Sequence, residues 1–254
     1  MSDVVLETQA LAKHFDGVVA AQDVSVSVSE GERVGIIGAN GAGKTTFVNM
    51  VTGYLKPETG RITYRGEDIT ALQPRDITRL GIRRSFQVPQ LFPGLTVLEN
   101  LLVARTITLS PRLGAWRNLR TDDNLAAIED ILARYSLEDY RHHVVATLAQ
   151  GVRKLLDIAM TTVGDPALVL LDEPTSGISM DEKFAVMDIV MGALDTIRTT
   201  VLFIEHDMEV VERYAPRVIA FYDGRVIADA PTGEALGDPD VRQYVIGREL
   251  HRNG

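Results

Sequence analysis

Cysteine is absent from the 254 residues, which removes thiol nucleophiles, zinc-thiolate sites, iron–sulfur ligation and disulfide staples together. That usage suits a reducing compartment. Basic residues are in deficit, with 26 Lys and Arg against 35 Asp and Glu for a formal charge of -9. No basic run interrupts the acidic background, so attraction to nucleic acid or anionic lipid is a poor default and no nucleic-acid partner is expected. Apolar runs such as Ala167 to Leu171 and Val201 to Ile204 have the length of buried strands, far short of the roughly 18 residues a membrane span requires. The segment Met1 to Leu11 carries Asp3 and Glu7 and lacks the basic and apolar regions of a signal peptide. The expectation is therefore a cytoplasmic chain whose membrane contact comes through a partner. Internal repeats and low-complexity stretches are lacking too. What is present is a globular composition, 45% hydrophobic and 24% charged, long enough to bury about three quarters of its unfolded surface without a metal or disulfide.

The local patterns alternate between strand and helix. Val24 to Val28 reads Val-Ser-Val-Ser-Val, a strand with one apolar face, and Glu30-Gly31-Glu32 turns it. Arg33 to Ile37 is a short apolar strand that runs into the glycine-rich Gly38 to Gly43, and Thr45 to Thr52 then reads as a helix stopped by Gly53. Arg61 to Tyr64 is a further strand and Pro74 to Leu80 a short helix. From about Thr96 to Gly164 the spacing is mainly helical, with Leu125, Ile128, Ile131 and Leu132 on one face. Strands then return at Ala167 to Leu171, Thr200 to Ile204 and Arg217 to Tyr222, interleaved with helices at Asp181 to Ile197 and Met208 to Tyr214. This order predicts an α/β fold with a mostly parallel sheet and an inserted helical subdomain. In the tail that begins near Pro231, Val241, Tyr244 and Val245 would share one face of a terminal helix, packed on its own domain or on a partner.

The chemistry-bearing segments follow the strands. Gly38-Ala39-Asn40-Gly41-Ala42-Gly43-Lys44-Thr45 matches the phosphate-loop pattern G-x-x-x-x-G-K-[ST] at every required position and lies between strand and helix, the context the motif needs. Its backbone N–H groups and the following helix start, with Thr46, would cradle a pyrophosphate. Lys44 would reach the terminal phosphates, and Thr45 would offer its hydroxyl to Mg²⁺. The apolar strand Ala167 to Leu171 delivers Asp172 and Glu173 at its carboxyl end. Asp172 is suited to hold the Mg²⁺ shell, and Glu173 to act as general base on an in-line water. Val201 to Ile204 ends similarly in Glu205-His206-Asp207, where His206 could bond the γ-phosphate or the attacking water. His14, His142, His143 and His251 have no such setting and read as solvated.

The order GANGAGKTT, then Ser85-Phe86-Gln87, Leu148-Ala149-Gln150-Gly151, LVLLDEP and Ile204-Glu205-His206-Asp207 resembles the ATP-binding subunit of an ABC transporter over nearly the whole chain. The resemblance implies a P-loop NTPase fold of ABC type. One ATPase domain would span 1–254, with an α/β core and small antiparallel β subdomain at about 1–95 and 165–230, a helical subdomain at about 96–164, and a helical tail at about 231–254. It also implies that ATP and Mg²⁺ are the cofactors. Gln87 would touch Mg²⁺ or the attacking water and link the site to membrane subunits, His206 would be the switch histidine, and Phe15 would stack on adenine unless it is a core phenylalanine. In that family two ATPase subunits sandwich ATP between one phosphate loop and the other's signature segment, beneath transmembrane permease subunits fed by a solute-binding protein. The chain would then be peripheral to the inner face of the cell membrane. Gln87 to Phe92, Thr96 to Leu101 and Asp238-Pro239-Asp240-Val241 look most similar to importers of branched-chain amino acids. Related branches handle urea, amides, aromatic acids or lipopolysaccharide. Leu91 and Phe92 are either permease contacts or ordinary core.

The signature departs from the family's Leu-Ser-Gly-Gly-Gln. Ala149 stands where a serine hydroxyl would meet the partner's γ-phosphate, Gln150 fills a small or variable place, and Val152 replaces the glutamine. A hydrogen bond to a charged group is worth about 1.5 to 3 kcal/mol, so its loss would weaken closure on ATP about ten- to a hundred-fold. Ser179 likewise stands where an aspartate is usual. The favoured expectation is a heterodimer in which a second ATPase subunit supplies the normal signature; a homodimer with reduced affinity is the alternative. A soluble ABC ATPase of DNA repair, chromosome structure or translation fits less well, since the chain has one phosphate loop and no room for a long coiled-coil insertion. A non-hydrolysing regulator is disfavoured by the presence of Glu173 and His206. Trp116 acquires no role beyond surface or subdomain contact.

Overall fold

The computed structural model describes residues 4–87, 90–109 and 120–247; Val88, Pro89, Trp116 and His251 lie outside the described residues. In chain order the elements begin β1 (Val4–Phe15), β2 (Val18–Ser29), β3 (Arg33–Gly38), α1 (Lys44–Val51), β4 (Thr59–Tyr64), β5 (Glu67–Asp68), α2 (Pro74–Arg79) and β6 (Ile82–Arg84). A helical stretch follows with α3 (Val97–Leu109), α4 (Asp122–Arg134) and α5 (Gln150–Thr161), then β7 (Leu168–Asp172) and α6 (Lys183–Thr196). The chain closes with β8 (Thr200–Ile204), α7 (Met208–Tyr214), β9 (Arg217–Tyr222), β10 (Arg225–Pro231), α8 (Thr232–Gly237), α9 (Pro239–Val241) and a π-helical turn, Arg242–Ile246. Among the described residues no helix is long and apolar enough to cross a membrane.

Backbone contacts divide the chain into two compact units, Met1–Ile82 with Thr200–Gly254, and Arg83–Thr199. In the first, one sheet has the antiparallel order β2-β1-β4-β5, and β10-β9-β3-β8 belongs to a second. There β3 pairs in parallel with both β8 and β9, while β10 returns antiparallel along β9. Val34, Ile36, Ile37, Phe203 and Phe221 are fully buried around β3. Each such side chain contributes about 1.5 to 3 kcal/mol of transfer free energy. Phe47 on α1 meets Phe221 at 5.5 Å between ring centroids, which fixes the helix that follows the glycine loop against the sheet. In the second unit β7 lies beside β6. Val169, Leu170 and Leu171 of β7 are buried, as are Leu156 and Ile158 of α5 and Val190 and Leu194 of α6.

The alternation in β2 is realised: Val24, Val26 and Val28 are buried while Ser25 and Ser27 face out. Four strands had no counterpart in the sequence reading: β1, β10, and the two short ones, β5 with two residues and β6 with three. β1 pairs with β2 from Val4↔Ser29 to Phe15↔Val18 but with register shifts, and Ala10 has φ 48, so its side chains lose the period of two that marks a strand. β10 carries Asp229 and Pro231, residues poor in strands, yet the Asp223-Gly224 turn before it, with φ 47 and φ 75, is a strong hairpin signal. The tail packs on its own unit. Val241 and Val245 are buried, and Tyr244 stacks on Tyr222 with centroids 4.5 Å apart.

Candidate functional site

In the first unit the candidate residues gather at one sheet edge. β3 and β8 run parallel with Ile36 opposite Ile204, so the loop after Gly38 and His206 after β8 both leave from the carboxyl ends of adjacent strands. Gly38 to Gly43 form that loop, and Lys44 to Val51 form the helix behind it. The N–H groups of the first helical turn, Thr45 and Thr46 among them, lack acceptors within the helix and present positive potential outward. Gly43 sits at φ 106, and a Cβ there would lie 2.6 Å from the Ala20 carbonyl oxygen. Gly38 is equally confined, since its Cβ would stand 2.5 Å from the Phe221 carbonyl oxygen. These positions demand glycine on two counts, backbone conformation and space.

The loop is braced by its own backbone. The Ala42 N–H donates to Ala39 O at 3.0 Å, and the Gly224 N–H donates to Ala42 O at 3.0 Å. Gly224 in turn accepts from the Gln22 N–H at 2.7 Å, so the β9–β10 hairpin tip and β2 both hold the loop. This brace was missed from sequence, where the Asp-Gly pair at 223 and 224 signals the hairpin turn but not its bond to the loop. The Lys44 ammonium is folded into the loop, donating to the carbonyls of Gly38 and Ala39, the latter at 3.2 Å, with the side chain almost wholly buried. Asn40, Gly41 and Thr45 remain at the surface. His206 is half-buried between β8 and α7, and its backbone N–H donates to the Glu205 carboxylate at 3.2 Å. Asp207 caps α7 through the Glu209 N–H at 3.0 Å. Phe15 is 47% exposed and has Lys13 Nζ 5.6 Å from its ring centroid, so it is no core phenylalanine. His14 is also exposed, and with Lys13 it bonds Glu58, holding that carboxyl down at about 2.

In the second unit, side chains organise the site. Asp172 at the end of β7 forms an ion pair with Arg84 of β6 at 2.7 Å, in a setting where the two side chains are only 13% and 7% exposed. The guanidinium also lies 5.0 Å from the centre of the Phe86 ring. Arg84 was not singled out from sequence; its position just before Ser85-Phe86-Gln87 was the available hint. Glu173 adopts φ 49, a left-handed conformation costly for a residue with a Cβ, which bends the chain out of β7. Its carboxylate accepts from Gln87 Nε2 at 2.7 Å, bringing together two residues 86 positions apart. The segment around Gln87 also meets α5. Lys154 Nζ donates to the carbonyls of Phe86 and Gln87, each at 3.4 Å, and Asp157 accepts from the Gln90 N–H at 2.9 Å.

Leu148 is buried, Ala149 and Gln150 are exposed, and Gly151 is buried in the first turn of α5. Ala149 is the N-cap of that helix and supplies no side-chain hydrogen bond to it. Gln150 lies beside Gly177, where an added Cβ would meet its amide nitrogen at 3.5 Å. Ser179 bonds the Glu182 carboxylate at 3.0 Å, just before α6. Leu91 is partly buried and Phe92 is 45% exposed, so Phe92 is not core.

Comparison with known proteins reveals extended similarity. A family model described as ABC transporter matches residues 21–176. The high-affinity branched-chain amino acid transport ATP-binding protein LivG of Salmonella typhimurium is 34% identical over 254 residues, spanning 97% of this chain and 99% of its own. Its counterpart BraF of Pseudomonas aeruginosa is 33% identical over 255 residues, with 97% and 99% covered. Among solved structures, an ATP-binding cassette of an ABC transporter in its ADP conformation superposes with a TM-score of 0.84 at 29% identity, covering 95% of this chain and 98% of that one.

Proposed function

The chain belongs to the ABC transporter family, and from that premise we propose that it is the ATP-hydrolysing subunit that powers an importer of branched-chain or related hydrophobic amino acids. The observation that carries the reading is a complete phosphate loop, Gly38 to Thr46, combined with a Glu173 carboxylate in contact with Gln87. Relatives named for branched-chain amino acid transport match end to end, which supports the choice of solute class. We read the chain as one ATPase domain.

In this reading Gly38 to Thr46 bind the phosphates of ATP through backbone N–H groups, and Lys44 moves from the loop carbonyls onto the terminal phosphates. Phe15, exposed at the end of β1, stacks on the adenine. Thr45, Gln87 and Asp172 offer a hydroxyl, an amide oxygen and a carboxylate, the hard oxygen donors that suit Mg²⁺. Bound there, Mg²⁺ would neutralise charge on the β- and γ-phosphates. Arg84 fixes the Asp172 carboxylate. Glu173 takes the proton of the attacking water as general base, Gln87 orients that water, and His206 steadies the γ-phosphate.

The signature works less well. With Ala149 in place of a serine hydroxyl, the chain offers only a bare helix start to a partner's nucleotide. It therefore pairs with a second ATPase subunit whose own signature closes on this chain's phosphate loop. Permease subunits dock at the partly buried Leu91 and exposed Phe92 and hold the chain peripherally on the inner membrane face; the solute-binding protein acts through them.

The test is ATP turnover and uptake of labelled leucine by the assembled transporter, with Glu173→Gln as the control. Both activities should be present and both lost in the variant. Turnover that survives Glu173→Gln would sink the catalytic assignment, and ATP-driven uptake of urea or an aromatic acid without leucine uptake would sink the solute.

A further inference from the structure

We propose that Lys154 and Asp157 are positioning residues: they clamp the loop bearing Gln87 to α5, so that the helix beginning at the signature segment sets where the Gln87 amide meets Glu173. Lys154 is fully buried, and its ammonium donates to the Phe86 and Gln87 carbonyls at 3.4 Å each. Three residues on, Asp157 is 5% exposed and accepts from the Gln90 N–H at 2.9 Å. One face of α5 thus holds the main chain at Phe86, Gln87 and Gln90. From the same loop, Gln87 Nε2 donates to Glu173 Oε2 at 2.7 Å.

Stability alone is a poor reason for this arrangement. An ammonium and a carboxylate taken out of water lose solvation that apolar residues of similar size would not, and such replacements are often neutral or stabilising. Burial holds the Asp157 carboxyl above its ordinary range, against the pull of the Gln90 N–H and the Lys154 charge. What the charged pair supplies, and leucine or methionine would not, is directional bonding to the main-chain groups of Phe86, Gln87 and Gln90. Because α5 starts at Gln150, immediately after Ala149, whatever engages that helix start is connected through Lys154 and Asp157 to Gln87.

The inference rests on the hydrolytic reading, and the test separates the two. Steady-state ATP turnover is measured for the assembled transporter carrying the full chain, with Glu173→Gln as reference. A wild-type assembly without turnover, or one insensitive to Glu173→Gln, overturns the hydrolytic reading and this inference with it. Given turnover, Lys154→Met should lower kcat about ten-fold with KM for ATP changed less than about two-fold, and Lys154→Arg should restore most of the rate. In a Gln87→Ala background, adding Lys154→Met should change kcat by less than about two-fold, because a residue acting through Gln87 has nothing left to position. An equal loss in both backgrounds, or an unchanged kcat, overturns the proposal. Asp157→Leu, which releases the Gln90 N–H, is carried through the same cycle with the same expectation. Failure of both Lys154→Met and Asp157→Leu to fold would assign the pair to stability alone and equally overturn it.

Discussion

The phosphate loop in the first unit and the carboxylate cluster in the second are built from different materials. Around Gly38 to Lys44 the backbone is the scaffold: glycine conformation, main-chain hydrogen bonds from Ala42 and Gly224, and a lysine resting on loop carbonyls. Around Asp172 and Glu173 the scaffold is a set of side chains, Arg84 on Asp172 and Gln87 on Glu173, with Lys154 and Asp157 on the Gln87 loop. A backbone scaffold tolerates side-chain change except where a Cβ has no space. A side-chain scaffold fails when any one partner is lost.

The largest effect should come from breaking the side-chain scaffold. Arg84→Ala would leave the Asp172 carboxylate nearly buried and without its 2.7 Å partner. Removing one member of a buried pair costs about 3 to 5 kcal/mol, and a denaturant titration should show it. A change below about 1 kcal/mol would mean that Asp172 is solvated in practice and that the contrast between the two regions is overdrawn. Next is Gly43→Ala, which places a Cβ at φ 106 and 2.6 Å from the Ala20 carbonyl oxygen. The left-handed conformation alone costs about 1 to 2 kcal/mol, and ATP affinity should fall with it, as read by calorimetry. Unchanged affinity would show that the loop can reshape around a side chain.

A gain is expected at Ala149→Ser. This residue is an N-cap that makes no side-chain bond, so a serine there should raise stability by about 0.5 to 2 kcal/mol in thermal melts, whatever it does to ATP closure. A melt no higher than wild type would mean that the α5 start is already satisfied. The smallest effect concerns Tyr135, fully buried, whose hydroxyl donates to Thr162 Oγ1 at 3.0 Å. Tyr135→Phe should cost about 1 kcal/mol near neutrality. Burial pushes the Tyr135 phenol up to about 12, above its ordinary 10.0. Its contribution is therefore complete below pH 10.0 and lost as pH rises through about 12, so wild type should lose more stability than Tyr135→Phe over that window. Parallel alkaline melts would contradict it.

The same contrast governs what could be read from sequence. The phosphate loop was legible because its requirement is local: glycines at fixed spacing between an apolar strand and a helix. Asp172, Glu173 and His206 were legible as strand-end residues, since β7 and β8 are short apolar runs with clear exits. Arg84 and Lys154 were not, because their meaning lies in partners far along the chain, 88 residues away for Arg84 and 68 for Lys154 at Phe86. β1 escaped because its register shifts break strand periodicity, and β10 because an aspartate and a proline mask its pairing with β9. The hairpin turn at Asp223-Gly224 was readable, but its bond to the phosphate loop was not.

In the proposed reading a competent phosphate loop and a weakened signature coexist in one chain, which then needs a different ATPase partner. The direct measurement is the solution mass of purified Glu173→Gln chain by light scattering, with and without Mg²⁺-ATP, alongside ATP binding by calorimetry. The account predicts a chain that binds ATP and stays monomeric until the second ATPase subunit is added. An ATP-dependent doubling of mass by the chain alone would contradict it, showing that Ala149 and Gln150 close on nucleotide well enough for a homodimer.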